Sequence, residues 1–400
     1  METADILHAA EGLLTQHWDR PVQLKPVVMH DATRSRVLRC RVSPAVADGP
    51  ETVAVKHVLP RLGHPHFDTF ALLNDWAACQ FLGAIECDPP LAPLVYAGDA
   101  RRSLIILEDL GEGEGANTPE LLNGSDPDRA TQGLLEHVAL LARLHGATLF
   151  KASEYRTLRA SLGPQAPCGE LYTDPWSNAR SIPWCEEALD SAISRYRLVA
   201  KQVGIDPEPS VDAEIAEVTQ RVEVDPGPFL AFCKGDQHLG GDFIRCGRKL
   251  RLFDFGEGGF RHALLEGLPG RMTWGCYGYI PPRLLPQLDA TYQAELALHR
   301  SSAADRTLFR SAMVDAGARW NLFHVIHRIP VALIEDRQQG PTTRRRLCVA
   351  WLEAFSQLAE EFSLRPALNR VARTMAHKLR ASWSIDGRPQ PPYGAFAKEY

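Results

Sequence analysis

The chain has 400 residues, of which 45% are hydrophobic and 23% are charged, and its formal net charge at pH 7 is −5. Four hundred residues exceed one ordinary domain, so two domains or two lobes are expected of a soluble globular protein. The small net charge argues against a dedicated nucleic-acid-binding protein, because such proteins carry a basic excess.

Signals for targeting, membrane insertion and zinc binding are missing from the sequence. The N-terminal residues lack a basic stretch followed by an apolar one, and no apolar run approaches the roughly 18 residues of a membrane span. The nine cysteines are scattered, without a C-x-x-C pair or histidines at zinc-ligand spacing. We therefore expect reduced thiols in a cytoplasmic protein that has no membrane or nucleic-acid partner.

Residues 1–110 carry the signals of a small lobe with a sheet. Residues 36–42 and 52–58 alternate with a period of about two, which is typical of strands. Residues 67–82 change to a helical period. Two more strands are predicted at 94–96 and 103–107, with a hairpin turn at Gly98-Asp99 between them. The resulting order is strand, strand, helix, strand, strand.

Residues 111–400 have the pattern of a larger, mainly helical lobe. Residues 111–130 are rich in Gly, Asp, Pro and Asn and predict a loop. Strong strand signals recur only around Asp236 and Asp254. The predicted fold class is therefore α+β, with a cleft between a small sheet lobe and a helical lobe. Amphipathic helical stripes run through residues 134–145, 211–222, 347–362 and 368–379.

A lysine at a strand end is the first candidate for chemistry. Thr52-Val-Ala-Val-Lys56 matches the V-A-I-K pattern, in which a strand lysine meets nucleotide phosphates at a cleft wall. Such a lysine needs an acidic partner, and Asp75 in the following helix is the candidate, although it can equally be an exposed helix acid. Backbone groups between Glu108 and Leu110 can receive an adenine edge where the strand leaves the small lobe.

The most informative stretch of the chain is residues 232–262, where two aspartates flank a polar loop and a predicted hairpin. Phosphoryl transfer needs one carboxylate to orient a hydroxyl and remove its proton, and another to hold magnesium on the phosphate. We assign these roles to Asp236 and Asp254, respectively. Together with the upstream lysine strand, the pair favours a kinase-like phosphotransferase over two aspartates that cap turns.

Several other conspicuous residues favour structural roles. Arg344-Arg345-Arg346 is interpreted as the solvated start of a helix, and His145 as a hydrogen-bonded core histidine. The tryptophans at 274, 320 and 351 are typical of core positions. Residues 258–262 are expected to line or approach the cleft. The region 151–210, with Trp176 and Trp184 among prolines and charges, is a candidate acceptor-binding region.

Several motifs together resemble the aminoglycoside phosphotransferase and choline kinase-like family over about residues 25–300, and the later helices look like a bacterial branch of it. The resemblance implies a protein-kinase-like fold that uses ATP and magnesium to phosphorylate a hydroxyl of a small molecule. It implies Asp236 as the catalytic aspartate, Asp254 as a magnesium ligand and Lys56 as the lysine on the phosphates. The motifs that carry it are Lys56, Leu107–Gly111, Leu144–Thr148, Lys234–His238 and Leu252–Phe255.

The same segments depart from the family pattern in three places. Lys234 stands where the family has histidine, and with His238 it is assigned to the catalytic loop around Asp236. Gly241 stands where the family has a metal-binding asparagine, and Asp242 is the candidate substitute because carboxylates are good magnesium ligands. The first hairpin, residues 30–36, has no glycine, so Thr33, Arg34 and Ser35 are the candidate phosphate donors.

The sequence therefore predicts an ATP- and magnesium-dependent phosphotransferase acting on a small hydroxyl compound, such as an aminoglycoside, a sugar or an amino alcohol. The acceptor and the oligomeric state stay open. One alternative is a kinase-like binding or regulatory protein that does not transfer phosphate. Another is a transferase that moves a nucleotidyl or other group in the same cleft.

Overall fold

A computed structural model describes most of the chain. The residues it describes contain no helix that is both long and apolar enough to cross a membrane. The six cysteines among them are all free thiols, in agreement with the absence of a disulfide pattern. The described residues are 2–31, 35–46, 49–58, 65–113, 115–163, 186–235, 243–268, 270–272, 278–300, 303, 305–386 and 391–399.

The first lobe is a five-stranded antiparallel sheet with strand order β1-β2-β3-β5-β4. The strands predicted at 36–42 and 52–58 are confirmed, as is the helix that follows them. The first helix and the first strand of the lobe were not predicted as separate elements. The elements are α1 (Thr3–Trp18), β1 (Gln23–Asp31), β2 (Ser35–Ser43), β3 (Thr52–Val58), α2 (Pro65–Gly83), β4 (Val95–Asp99) and β5 (Leu104–Glu108).

The hairpin turn predicted at Gly98-Asp99 is wrong, because both residues belong to β4. The chain reverses one step later, in a short 3₁₀ helix at Ala100–Arg102, where the N–H groups of Arg101 and Arg102 donate to the Asp99 side chain. Gly98 stays in the strand for a packing reason. A Cβ atom at Gly98 would lie 2.6 Å from the Trp76 ring on α2, so this glycine lets the helix approach the sheet.

The two faces of the sheet have separate apolar cores. On β3, Val53 and Val55 pack in the core beneath α1, whereas Ala54 and Val58 pack in the core that includes α2. Successive strand residues point to opposite faces, so Lys56 shares the face of Ala54 and Val58. The lysine of the V-A-V-K pattern therefore points to the side of the sheet that α2 and the second lobe cover.

The second lobe is mainly helical, as predicted, but its start was wrongly predicted as a continuous loop. Asn117 and Asp126 are helix N-caps within 111–130, each followed by a proline in the first turn. The helices are α3 (Thr118–Leu122), α4 (Pro127–Thr148), α5 (Ala152–Leu162), α6 (Glu186–Gln202), α7 (Pro209–Thr219), α8 (Leu285–His299), α9 (Arg306–Phe323), α10 (Ile329–Ile334), α11 (Arg344–Phe362) and α12 (Pro366–Ser382), with π-helical turns at Gln220–Val224 and His324–Arg328.

The amphipathic stripes predicted from helical spacing form the core of this lobe. One buried cluster contains the apolar residues of α4, α7, α11 and α12, together with side chains of α8 and α9. The arginine triplet begins α11, with the Thr343 hydroxyl as its N-cap, as predicted for a helix start. Trp320 and Trp351 are both buried in this core, whereas Trp274 lies outside the described residues.

Two short antiparallel pairs bring the strand segments of the second lobe together. β6 (Leu230–Cys233) pairs with β9 (Gly259–His262), and β7 (Phe243–Cys246) pairs with β8 (Lys249–Leu252), all antiparallel. The β6–β9 pair places the residue after Cys233 beside the turn that precedes Gly259. Phe260 and His262, in the segment expected to line or approach the cleft, are buried where β9 pairs with β6.

A two-residue ladder, β10 (Gln338–Gln339) with β11 (Thr342–Thr343), precedes α11. The predicted α+β architecture is confirmed: a small antiparallel sheet lobe is followed by a larger, mainly helical lobe. The exact division at residue 110 stays a prediction.

Candidate functional site

The candidate site is built around Lys56 near the end of β3. Its Nζ atom lies 2.7 Å from Asp75 Oδ2 and 2.8 Å from Asp254 Oδ1, so it bridges a carboxylate of α2 and one that follows β8. Burial of the side chain lowers the pKa of Lys56, but the two carboxylates outweigh it, and the pKa ends above its usual value. Lys56 is therefore a permanently charged ammonium at the junction of the two lobes.

Asp75 is a buried partner of this lysine, with 1% of its side chain exposed, and not an exposed helix acid. Its second oxygen accepts the backbone N–H of Phe255 at 2.8 Å. One carboxylate of α2 therefore binds both the β3 lysine and the backbone directly after Asp254. Because a buried charge is stable only when it is paired, this arrangement couples the position of α2 to the site.

Asp254 adopts a left-handed backbone conformation, with φ of +58°, which asparagine and aspartate tolerate better than most residues. The charge of Lys56 is the main reason why the pKa of Asp254 falls to about 2, against the effect of burial; the charge of Lys234 and the N–H of Gly256 assist. Asp254 is thus ionised, and its side chain is 49% exposed. An exposed, ionised carboxylate is a suitable hard ligand for magnesium.

Two further side chains hold the turn after Asp254, and the sequence did not reveal either. Asn74 on α2 donates from Nδ2 to the Gly256 carbonyl at 3.2 Å. Its Oδ1 accepts from Arg159 Nε of α5 at 2.6 Å. Asn74 directly precedes Asp75 in the chain, and this is the one local indication that it lies near the site. Nothing in the sequence pattern around Arg159 indicates its contact with Asn74, 85 residues away.

Lys234 follows β6 and is completely buried. Its backbone N–H donates to Glu266 Oε2 at 2.9 Å, and the next N–H, of Gly235, donates to Glu266 Oε1. His145 Nε2 contacts the same carboxylate at 3.1 Å, and His145 Nδ1 contacts the Tyr292 hydroxyl at 2.6 Å. Glu266 therefore anchors the backbone that leads into residue 236, and His145 is the hydrogen-bonded core histidine that its helical face predicted.

Ligand atoms of His145, Cys233 and Glu266 lie within 4.8 Å of one another, which is compatible with a metal site. Both ring nitrogens of His145 and both oxygens of Glu266 are already engaged in hydrogen bonds. Burial is also the main cause that raises the pKa of the Cys233 thiol well above its usual value, so the thiolate that binds metals is disfavoured. The cluster is therefore assigned to structural support of the loop.

Gly235 is required where the loops after β6 and β8 touch. Its φ is +101°, and a Cβ atom there would lie 2.2 Å from the Glu257 carbonyl oxygen. A side chain is excluded both by the backbone conformation and by the space available. Residues 234 and 235 therefore lie directly against the turn that carries Asp254.

The segment that links the two lobes leaves one backbone donor available. The Glu108 N–H donates to the Leu94 carbonyl at 2.8 Å, and the Glu108 side chain accepts from Arg251 at 3.0 Å. The Leu110 carbonyl accepts from Cys246 Sγ at 3.3 Å. Within the described residues, the N–H of Leu110 has no hydrogen-bond partner, so it can donate to a ligand.

Several residues of the candidate site lie outside the described residues, and their assigned roles stay predictions. Ser35 is described: it begins β2 opposite Val58, two positions from Lys56 along β3. The outlying residues are Thr33, Arg34, Asp236, His238, Gly241 and Asp242, and Trp176 and Trp184 of the candidate acceptor region lie outside as well.

His262, at the end of β9, makes protein stability depend on pH. Burial, with a smaller effect from His145, lowers the pKa of His262 to about 3. In the unfolded chain His262 binds a proton near pH 6.5, whereas in the folded chain it does not. The free energy of unfolding therefore falls as the pH decreases from about 6.5 towards 3. Between pH 8 and 5, this residue alone is expected to remove about 2 kcal/mol from the free energy of unfolding.

Urea unfolding of the wild type and of His262→Asn at pH 8 and pH 5 measures this contribution. Asparagine retains an acceptor for the Leu264 N–H, which bonds His262 Nδ1 at 3.3 Å. The carboxylates with lowered pKa values titrate below this window, and the other buried histidines remain in both proteins. Equal losses of stability in the two proteins would contradict the assignment to His262.

No family model matches the chain, and no curated protein is similar to it. Among solved structures, the ternary complex of streptomycin, ATP and APH(2")-IIa is similar, with a TM-score of 0.44 and 12% identity, covering 83% of this chain and 95% of that chain. Choline kinase from Cryptosporidium parvum Iowa II has a TM-score of 0.39 and 11% identity, covering 94% and 93%. Ethanolamine kinase from Plasmodium vivax has a TM-score of 0.41 and 9% identity, covering 88% and 86%.

Proposed function

We propose that this protein is an ATP- and magnesium-dependent phosphotransferase that acts on a hydroxyl group of a small molecule. The observation that carries the proposal is the Lys56 ammonium held between Asp75 and Asp254 where the two lobes meet. A strand lysine paired to a helix carboxylate, beside a second, exposed carboxylate, supplies both a phosphate contact and a metal ligand. The order of the sequence motifs supports the same function.

Each charged group has a separate role in this proposal. Lys56 contacts the nucleotide phosphates, and Asp75 holds its ammonium group in place. Asp254 holds magnesium, which when bound neutralises negative charge on the phosphates. Asp236 takes the proton of the acceptor hydroxyl while the oxygen of that hydroxyl forms a bond to the γ-phosphorus of ATP. The bond between this phosphorus and the ADP oxygen breaks, and ADP leaves. The two N–H groups that donate to Glu266 belong to residues 234 and 235, directly before Asp236 in the chain.

The nucleotide base is placed by backbone groups between Glu108 and Leu110. The free N–H of Leu110 supports this role, because an adenine edge needs one donor and one acceptor from the protein. We propose that the nucleotide is ATP, and a parallel titration with GTP tests this choice of base.

The first test is nucleotide binding by calorimetry, with and without magnesium, for the wild type and Asp254→Ala. We expect magnesium to strengthen nucleotide binding to the wild type at least about tenfold, and expect this gain to vanish in the variant, because the metal loses its protein ligand. Asp225→Ala, which removes an exposed aspartate from the turn before β6, is the matched control. Absence of nucleotide binding by the wild type would contradict the proposal.

A second candidate function is nucleotide binding without transfer. The observation in its favour is that Lys56 bonds Asp254 directly, so its ammonium group competes with a metal ion for this carboxylate. Incubation with ATP, magnesium and a panel of aminoglycosides, sugars and amino alcohols separates the cases. ADP with a phosphorylated acceptor supports phosphotransfer, pyrophosphate indicates nucleotidyl transfer, and binding without products favours the second candidate.

A further inference from the structure

Two consecutive residues of α2 hold two backbone groups of the turn after Asp254. Asp75 Oδ1 accepts the N–H of Phe255 at 2.8 Å, and Asn74 Nδ2 donates to the carbonyl of Gly256 at 3.2 Å. One bond therefore fixes a donor of the turn and the other fixes an acceptor. Because both bonds come from one helix, the turn and α2 keep a defined distance and orientation.

The orientation of the Asn74 amide is fixed by its two partners. Arg159 Nε lies 2.6 Å from one end of the amide, and a guanidinium group can only donate, so this end must be the oxygen. The Gly256 carbonyl can only accept, so the other end must be the NH₂ group. A charged donor on the amide oxygen also strengthens donation from the amide nitrogen. Arg159 therefore determines which hydrogen bond Asn74 offers to the turn.

Arg159 is itself held in place by α5. The residue is 3% exposed, and its Nη1 atom donates to the Gly163 carbonyl at the end of this helix at 3.1 Å. The helix α5 and the turn after β8 belong to the helical lobe, whereas α2 belongs to the small lobe. The contacts from Arg159 to Asn74 and from Asn74 to Gly256 therefore cross from one lobe to the other and back.

We propose that Asn74 and Arg159 are positioning residues for the metal: Arg159 orients Asn74, and Asn74 holds the turn that presents Asp254. This inference rests on the proposed function, in which Asp254 holds magnesium. Asp254 has a φ of +58°, and a residue other than glycine keeps such a conformation only where its surroundings impose it. Without the bond from Asn74, the turn relaxes and the carboxylate faces the metal for a smaller fraction of the time.

The test is calorimetric titration of a non-hydrolysable ATP analogue at a series of free magnesium concentrations. In Asn74→Leu, the magnesium concentration that gives half of the gain in nucleotide affinity is expected to rise about 10–100-fold, the usual effect of removing a group that orients a metal ligand. Affinity for the analogue without magnesium should stay within about twofold of the wild type. A residue that only supports the fold would lower the unfolding temperature without this selective loss.

Replacement of Arg159 by methionine separates positioning from charge. Loss of a positive charge would by itself favour a cation at Asp254, whereas loss of the positioning contact weakens magnesium binding, and we expect the weakening. The double variant Asn74→Leu/Arg159→Met should need no more magnesium, within about twofold, than Asn74→Leu alone, because Arg159 acts through Asn74. Arg129→Met, at an exposed arginine in the first turn of α4, is the matched control and should leave the magnesium dependence unchanged.

Asn74→Ala and Arg159→Ala remove the same bonds a second time, and thermal unfolding identifies any variant that does not fold. Unchanged magnesium dependence in folded Asn74 variants, tighter magnesium binding in folded Arg159 variants, or additive losses in the double variant would overturn this inference alone. Failure of the wild type to bind the analogue, or a magnesium gain that survives in Asp254→Ala, would overturn the proposed roles of the site together with the inference.

Discussion

Replacement of Asp236 by asparagine is expected to lower turnover about 10²–10⁴-fold, which is the usual contribution of a placed general base. Nucleotide binding should stay within about twofold of the wild type, because phosphate and metal contacts are assigned to Lys56 and Asp254. The amide has the size of the carboxylate but cannot take the proton of the acceptor hydroxyl. Single-turnover release of ADP with an acceptor found in the panel measures the effect.

A matched substitution separates this effect from a general loss of charge. Asp128→Asn changes an exposed aspartate in the first turn of α4 and should leave turnover unchanged. Full turnover by Asp236→Asn would exclude this aspartate as the base. A loss of nucleotide binding as large as the loss of turnover would instead assign Asp236 to the metal, and the proton acceptor would have to be sought elsewhere.

Replacement of Asp75 by alanine is expected to destabilise the protein by about 3–5 kcal/mol, the cost of removing one partner from a buried ion pair. The substitution leaves Lys56 with one carboxylate, at Asp254, and leaves the Phe255 N–H without its acceptor. Both groups lie where water has little access, so solvent does not compensate for the loss. Urea unfolding at pH 7.5 measures the change.

A second ion pair provides the control for burial. Asp212 of α7 pairs with Arg197 at 2.8 Å, but this pair is partly exposed, and Asp212→Ala should cost no more than about 1 kcal/mol. Equal costs at Asp75 and Asp212 would show that burial of the Lys56 pair contributes little. The double variant Lys56→Met/Asp75→Leu removes both charges together, so it should recover part of the stability and still bind no magnesium nucleotide.

Local patterns were sufficient to predict much of the fold and part of the site. The alternation along β3 predicted both the strand and a lysine near its end, because strand periodicity is expressed within seven residues. The spacing of apolar residues predicted α4, α7, α11 and α12 because one helical face must be buried in each. The acid on α2 was a candidate partner for Lys56 from its place in the following helix.

Other features depended on residues that are distant in the chain. The turn predicted at Gly98 is absent because Trp76 of α2 packs against that glycine. Asn74 and Arg159 support the turn after Asp254 through bonds that span 182 and 85 residues. No window of the sequence contains both partners of these bonds.

The sequence by itself determined the order of the elements, the faces that they bury and the residue types available for chemistry, because propensity and periodicity act over one or two turns or a single strand. The tertiary structure alone decided which charges meet. It paired Lys56 with Asp254 across 198 residues, and it fixed residues 234 and 235 on Glu266. It also buried Asp75 and Lys234 while Asp254 stayed half-exposed. Electrostatic strength depends on distance and on access to water, and both are properties of the packed chain.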